Sequence, residues 1–142
     1  MRLCFILAVI LTAVTPAQAM RAWHHPLFRA LRTVESSNRP KAVGDKGAAV
    51  GVYQLHRGYI KDVNRIYGTR FTPEDRWDPI KSHQIVRLYL AHYGRVYTRV
   101  TGKPVTCETL ARIHNGGPKG WRKSATGSYW AKVQQEMKGG GR

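Results

Sequence analysis

TVESSNRPKAVGDKGAAVGVYQL, residues 33–55, divides the chain into a helix that ends and a loop lobe that begins. Upstream, Phe28, Leu31 and Glu35 recur at helical spacing with Leu27 and Val34 beside them. Pro26 suits a first turn, where its missing N–H is not needed. Ser36-Ser37-Asn38 and Pro40 stop the run, because the residue before a proline is pushed out of the α region. The pattern predicts a helix over residues 21–36 with Glu35 in its last turn. From Lys41 to Tyr53 periodicity fades and Gly44, Gly47 and Gly51 appear, which predicts a loop or short irregular β-hairpin with Asp45 at the tip of its first turn. Gly51-Val52-Tyr53-Gln54 then turns apolar again. Gln54 and Tyr53 are placed to hydrogen-bond a ligand, although Tyr53 suits a core position equally well.

Only eight residues are acidic against twenty-four Lys and Arg, and Glu35 and Asp45 are two of the eight. A carboxyl at a helix end facing a second one across a turn-rich loop suits glycosidic bond cleavage. One group must be protonated to donate to the leaving oxygen, and the other ionised to direct water or support positive charge. The negative end of a helix dipole suits the protonated partner. A helix C-terminus followed by a solvated loop is the plain alternative, and the window leaves both open.

The start of the chain carries an address. Arg2, the apolar run from Leu3 to Val14, and Pro16-Ala17-Gln18-Ala19 follow the three-part order of a cleavable signal peptide. We therefore expect residues 1–19 to be removed, residues 20–138 to form one domain, and residues 139–142 to be a disordered tail. The expected location is secreted or periplasmic, with no transmembrane segment after cleavage. Only Cys107 then remains, so the core must hold without an internal disulfide, as a bacterial envelope protein would. Loss of Arg2 leaves the charge one below the +16 of the whole chain. A surface so basic binds polyanions; for an exported protein these are anionic envelope polymers and not a specific nucleic acid.

Downstream, His56 to Tyr67 reads as a helix with Ile60, Val63 and Tyr67 on one face and Gly68 as its stop. Thr72-Pro73-Glu74-Asp75 opens a turn expected to be anchored by Trp77. Asp78-Pro79 starts the longest helix, which runs to Thr101 before Gly102 with an expected buried stripe of Ile85, Leu88, Tyr89, His92, Val96 and Val100. His83 and His92 lie too far apart for ligand spacing, so no metal and no cofactor is assigned. Thr106 caps a helix in which Cys107, Leu110 and Ile113 look core-facing. That helix breaks after His114-Asn115 into Gly116-Gly117-Pro118, a terminator that also presents His114 and Asn115 to a ligand. Ser128 to Met137 reads as the last helix.

Taken together, Val34-Glu35-Ser36, Gly44-Asp45, Gly47 and Gly51-Val52-Tyr53-Gln54 resemble the opening of the lysozyme-like superfamily, soluble lytic transglycosylases included. Ala111-Arg112-Ile113-His114-Asn115-Gly116-Gly117-Pro118, followed by Tyr129-Trp130 and Val133, resembles the signature of invertebrate-type lysozymes. The resemblance spans Leu31 to Val133 and implies a mainly α (α+β) lysozyme-like fold with a small β-hairpin or loop lobe. It implies peptidoglycan glycan strands as substrate and the β-1,4 bond between N-acetylmuramic acid and N-acetylglucosamine as the bond cut. Glu35 corresponds to the general acid and Asp45 lies near the second carboxylate, at a shorter interval than in those lysozymes. Gln54, His114 and Asn115 are expected to hold N-acetyl and hydroxyl groups, with Tyr53 and Tyr129 stacking on sugar faces. The alternatives are a lytic transglycosylase using Glu35 alone and a non-catalytic cationic envelope-binding protein. If the basic surface drives wall binding, retention on sedimented peptidoglycan should fall steeply as the screening length shrinks from about 30 Å at 0.01 M salt to about 3 Å at 1 M; unchanged retention would make the charge incidental.

Overall fold

A computed structural model describes residues 23–139. The expected signal peptide and residues 140–142 of the expected tail lie outside the described residues; Gly139 ends a helix instead of opening a tail. Among the described residues there are five α-helices and one two-stranded sheet: α1 (Pro26–Ser36), β1 (Val43–Gly44), β2 (Ala49–Val50), α2 (Arg57–Tyr67), α3 (Pro79–Thr101), α4 (Cys107–Gly116) and α5 (Gly127–Gly139). The architecture is the mainly helical one with a small hairpin lobe read from the sequence.

The helical run read from the sequence is broken at His25: Trp23 and His24 are helical, and α1 then begins with Pro26 at its first position and His25 as its cap, Nδ1 accepting from the Leu27 N–H at 3.2 Å. It ends as expected. Ser37 and Asn38 are left-handed (φ 53° and 59°), and their N–H groups close on the carbonyls of Thr33 and Arg32 at 2.8 and 3.1 Å. Two orphan carbonyls are thereby satisfied and the chain is turned away with Glu35 on the last turn. β1 and β2 pair antiparallel, Val43 with Val50 and Gly44 with Ala49, around a 3₁₀ turn at Asp45–Gly47. Gly51 follows with φ 79°, and a Cβ there would strike the Arg76 carbonyl oxygen, so the hairpin lobe closes directly on the Pro73–Arg76 turn.

That turn is anchored by Arg76, not Trp77. Arg76 is buried and donates to Pro73 O at 2.8 Å and to Ala48 O and Leu55 O, each at 3.0 Å, whereas Trp77 is 40% exposed. A guanidinium can satisfy three carbonyls that an indole cannot. The stripe on α3 also needs correction. Ile85 and Tyr89 are buried as read, but Val86, Leu90 and Tyr93 complete the face, while Val100 is 60% exposed. The neighbouring elements cover a face turned slightly from the one read, and the last turn of α3 extends beyond them. α1 packs on α5, and α4 on both α3 and α5.

The core contains a polar chain. Arg32, 3% exposed, sits with its guanidinium carbon 3.6 Å from the Trp23 ring centroid and donates to Trp23 O, Asn38 Oδ1 and the Tyr53 hydroxyl. The Tyr53 hydroxyl meets His83 Nδ1 at 2.7 Å. Burial, with the Arg32 and Arg87 charges added, pushes His83 down to about 4, while burial pushes Tyr53 up to about 12. Because His83 titrates lower when folded than its ordinary ~6.5 when unfolded, the native state binds fewer protons. Its contribution is present above about pH 6.5 and is lost as pH falls towards 4, about 3 kcal/mol in all. Urea unfolding at stepped pH should show this slope, and it should flatten across that window in His83→Phe.

Candidate active site

Glu35, Asp45, Gln54, His56, His114 and Asn115 line a cleft of about 280 Å³ between the helices and the hairpin lobe, with Tyr59 at its wall. Each arrives from a different device. Glu35 comes from the last turn of α1, Asp45 from the left-handed hairpin turn (φ 48°), and His114 and Asn115 from the end of α4, where Gly117 (φ 81°) turns the chain out.

The Glu35 side chain is 18% exposed. Its Oε1 accepts from the Tyr129 hydroxyl at 2.6 Å, a contact made possible by the packing of α5 on α1. His114 Nε2 lies 3.4 Å from the same oxygen, and its Nδ1 meets the Tyr59 hydroxyl at 3.0 Å. When Tyr59 donates to Nδ1, the ring proton sits on Nε2 and faces Glu35. Burial first, and then nearby tyrosine and Glu35 charges, hold Tyr59 well above the usual phenol range. Burial and Glu35 do the same for Tyr129. Both phenols therefore keep their protons and act as donors. Tyr59 is fixed in turn by stacking on Tyr89, with ring centroids 3.7 Å apart.

Asp45 is held differently. Its Oδ2 is 3.3 Å from His56 Nε2, with the two side chains 67% and 54% exposed. Solvent screens such a pair, and it contributes little to stability.

The structure brings Glu35, Asp45, Gln54, His114 and Asn115 together, and it corrects the expected stacking roles. Tyr53 is 1% exposed and its hydroxyl is engaged by Arg32 and His83, so its ring cannot meet a sugar. The Tyr129 hydroxyl is engaged by Glu35, and Tyr129 is not among the residues that line the cleft. Gln54 lines the cleft, but its Nε2 is consumed by Ala42 O at 3.1 Å and Gly51 O at 2.9 Å, which ties the hairpin lobe shut. Only its Oε1 remains for a ligand, above Gly44, where a Cβ would collide with it. The sequence reading missed His56 and Tyr59. Tyr59 left a trace, lying one turn before Val63 on α2, whereas His56 sits just outside the helix and left none.

A helical body with a carboxyl at the end of its first helix, facing a small hairpin lobe across a cleft, is a lysozyme-like protein. The Destabilase family model matches residues 27–136, and the chain belongs to that family. It is 34% identical over 111 residues to a lysozyme of Magallana gigas, covering 77% of each chain. It is 33% identical over 116 residues to lysozyme 1 of Crassostrea virginica, covering 77% of this chain and 57% of the relative, little more than half that relative's length. The Tapes japonica lysozyme structure superposes with a TM-score of 0.65 at 27% identity, covering 78% of this chain and 88% of that one.

Proposed function

We propose that this protein is a muramidase, a glycoside hydrolase that cleaves the β-1,4 bond between N-acetylmuramic acid and N-acetylglucosamine in peptidoglycan. Family membership and lysozyme-named relatives support the reaction class. The observation that carries the residue assignment is the one-sided grip on Glu35. Tyr129 and His114 both address Oε1, which leaves Oε2 as the oxygen that carries and delivers the proton. Glu35 protonates the glycosidic oxygen as its bond to the anomeric carbon breaks, and an oxocarbenium-like centre develops. Asp45 faces that charge from the hairpin lobe, and water completes the hydrolysis. The Gln54 carbonyl oxygen and Asn115 hold amide and hydroxyl groups of the sugars. The leader peptide directs the protein to the envelope or beyond it, where its basic surface concentrates it on anionic wall polymers. Among the described residues no helix is long and apolar enough to cross a membrane.

One observation favours a second reading. Asp45 is exposed and paired only with an exposed histidine, whereas Glu35 is tightly held, as suits a lytic transglycosylase in which Glu35 serves as acid and then base. The glycan's own 6-hydroxyl then replaces water and leaves an anhydro end.

Mass spectrometry of muropeptides released from purified peptidoglycan separates the two. Hydrolysis yields reducing muramic acid ends, and Asp45→Asn should slow it severely. Anhydro ends together with a near-active Asp45→Asn variant would establish the transglycosylase. In either case Glu35→Gln should lower turnover by about 10²–10⁴-fold, and full activity in that variant would show that the stretch around Glu35 is not the active site. Tyr129→Phe should lower kcat about tenfold, the worth of one hydrogen bond to a charged group. KM should change little, since Tyr129 acts through Glu35 and not on the sugar.

A further inference from the structure

A second and larger cavity, about 950 Å³, shares no residue with the cleft. One face of α3 from Ile80 to Arg95 forms its length, with Trp23 and Phe28 from the start of the described chain and Val105 and Leu110 from the α4 side. Ile80 and Val105 remain 67% and 37% exposed, so the described residues leave this apolar surface uncovered. Contiguous apolar surface of this kind marks a binding site more often than an idle face.

Three features select the occupant. The first is size. The groove runs along roughly 22 Å of α3, and its volume of about 950 Å³ lies in the upper range of small-ligand sites, about 300–1,000 Å³. The second is charge. Arg87 and Arg95 line the groove two turns apart, no carboxylate lines it, and neither arginine is in a salt bridge among the described residues. Arg95 donates only to the neutral Tyr67 hydroxyl. The third is an unpaired group. His83 lines the groove and is 4% exposed, and its Nε2 is the one buried side-chain polar atom without a partner among the described residues. Arg32 donates to the Tyr53 oxygen, so Tyr53 has its own proton to give to His83 Nδ1. The imidazole proton is then left on Nε2 as a donor in want of an acceptor.

We propose that this groove binds an anionic membrane lipid, with its acyl chain along the apolar wall of α3, its phosphate on Arg87 and Arg95, and its ester carbonyl accepting from His83 Nε2. Such a site adds a specific lipid contact to the diffuse attraction of a basic surface for a negative membrane. It does not depend on the muramidase assignment, because the two sites have no residue in common.

The test uses the purified protein and lysophosphatidylglycerol brominated on its acyl chain, kept monomeric, with tryptophan fluorescence as the readout, since Trp23 lies on the groove. Saturable one-to-one quenching is expected, and Trp23→Phe should abolish most of it. Ala91→Glu changes an exposed residue on the groove wall; it should weaken binding at least tenfold while circular dichroism and peptidoglycan cleavage stay unchanged. Arg87→Gln with Arg95→Gln should weaken the phosphatidylglycerol probe more than a phosphatidylcholine probe of the same chain. Absent or non-saturating quenching, or quenching indifferent to Ala91→Glu, would overturn the proposal. So would glycerol phosphate competing as well as the lipid, which would reduce the effect to surface charge. Displacement of the lipid by an acidic amphipathic peptide at far lower concentration would overturn it too and make the groove a protein-docking site.

Discussion

The buried guanidinium of Arg32 is the constraint around which the rest is arranged. A cation removed from water is tolerated only when its donors are used, because the desolvation cost runs to several kcal/mol. Among the described residues no carboxylate meets it; Trp23 O, Asn38 Oδ1 and the Tyr53 hydroxyl do, with the Trp23 ring beneath. Those acceptors come from the start of the described chain, the turn after α1 and the re-entry from the hairpin lobe. Satisfying one side chain therefore fixes three segments at once, and through Tyr53 and His83 it reaches α3. Glu35 lies less than one turn beyond Arg32 on the same helix, so the placement of its carboxyl follows from it.

Most of the skeleton was legible because it is written in local chemistry. Pro26, Asp78-Pro79 and Thr106 place helix starts, and Gly68 and Gly102 place stops, each doing in the structure what its backbone preference requires. The hairpin was legible for the same reason, since Gly44, Gly47 and Gly51 admit few other readings. Glu35 was legible as a site residue because a carboxyl is rare in this chain and sits at a helix end.

What was not legible depends on contacts across long sequence separations. Tyr53 and Tyr129 are both aromatic groups with a hydroxyl near the motif, and the sequence offers nothing to separate a core tyrosine from a cleft one. Packing separates them: Arg32 and His83 pull the Tyr53 hydroxyl inward, and α5 on α1 carries the Tyr129 hydroxyl across 94 residues to Glu35. Trp77 and Arg76 show the same limit. An aromatic looks like the anchor in sequence, but three carbonyls converge where the Pro73–Arg76 turn meets the hairpin lobe, and only the arginine can bond all three.

The two carboxylates end as opposites, although their side chains carry the same group. Glu35 is largely enclosed, with its Oε1 fixed by a phenol that keeps its proton and faced by an imidazole oriented from behind by a second such phenol. It is preorganised, so little is lost in bringing it to a reacting oxygen. Asp45 stands on a strained left-handed turn in solvent, facing one exposed histidine. On the proposed muramidase reading, a pair whose environments differ this much would divide the labour of acid and charge stabiliser without any difference in chemistry. The hairpin lobe is closed on itself through Gln54 and tied to the Pro73–Arg76 turn through Arg76. With Asp45 itself so weakly held, the rigidity of the lobe is what keeps it opposite Glu35.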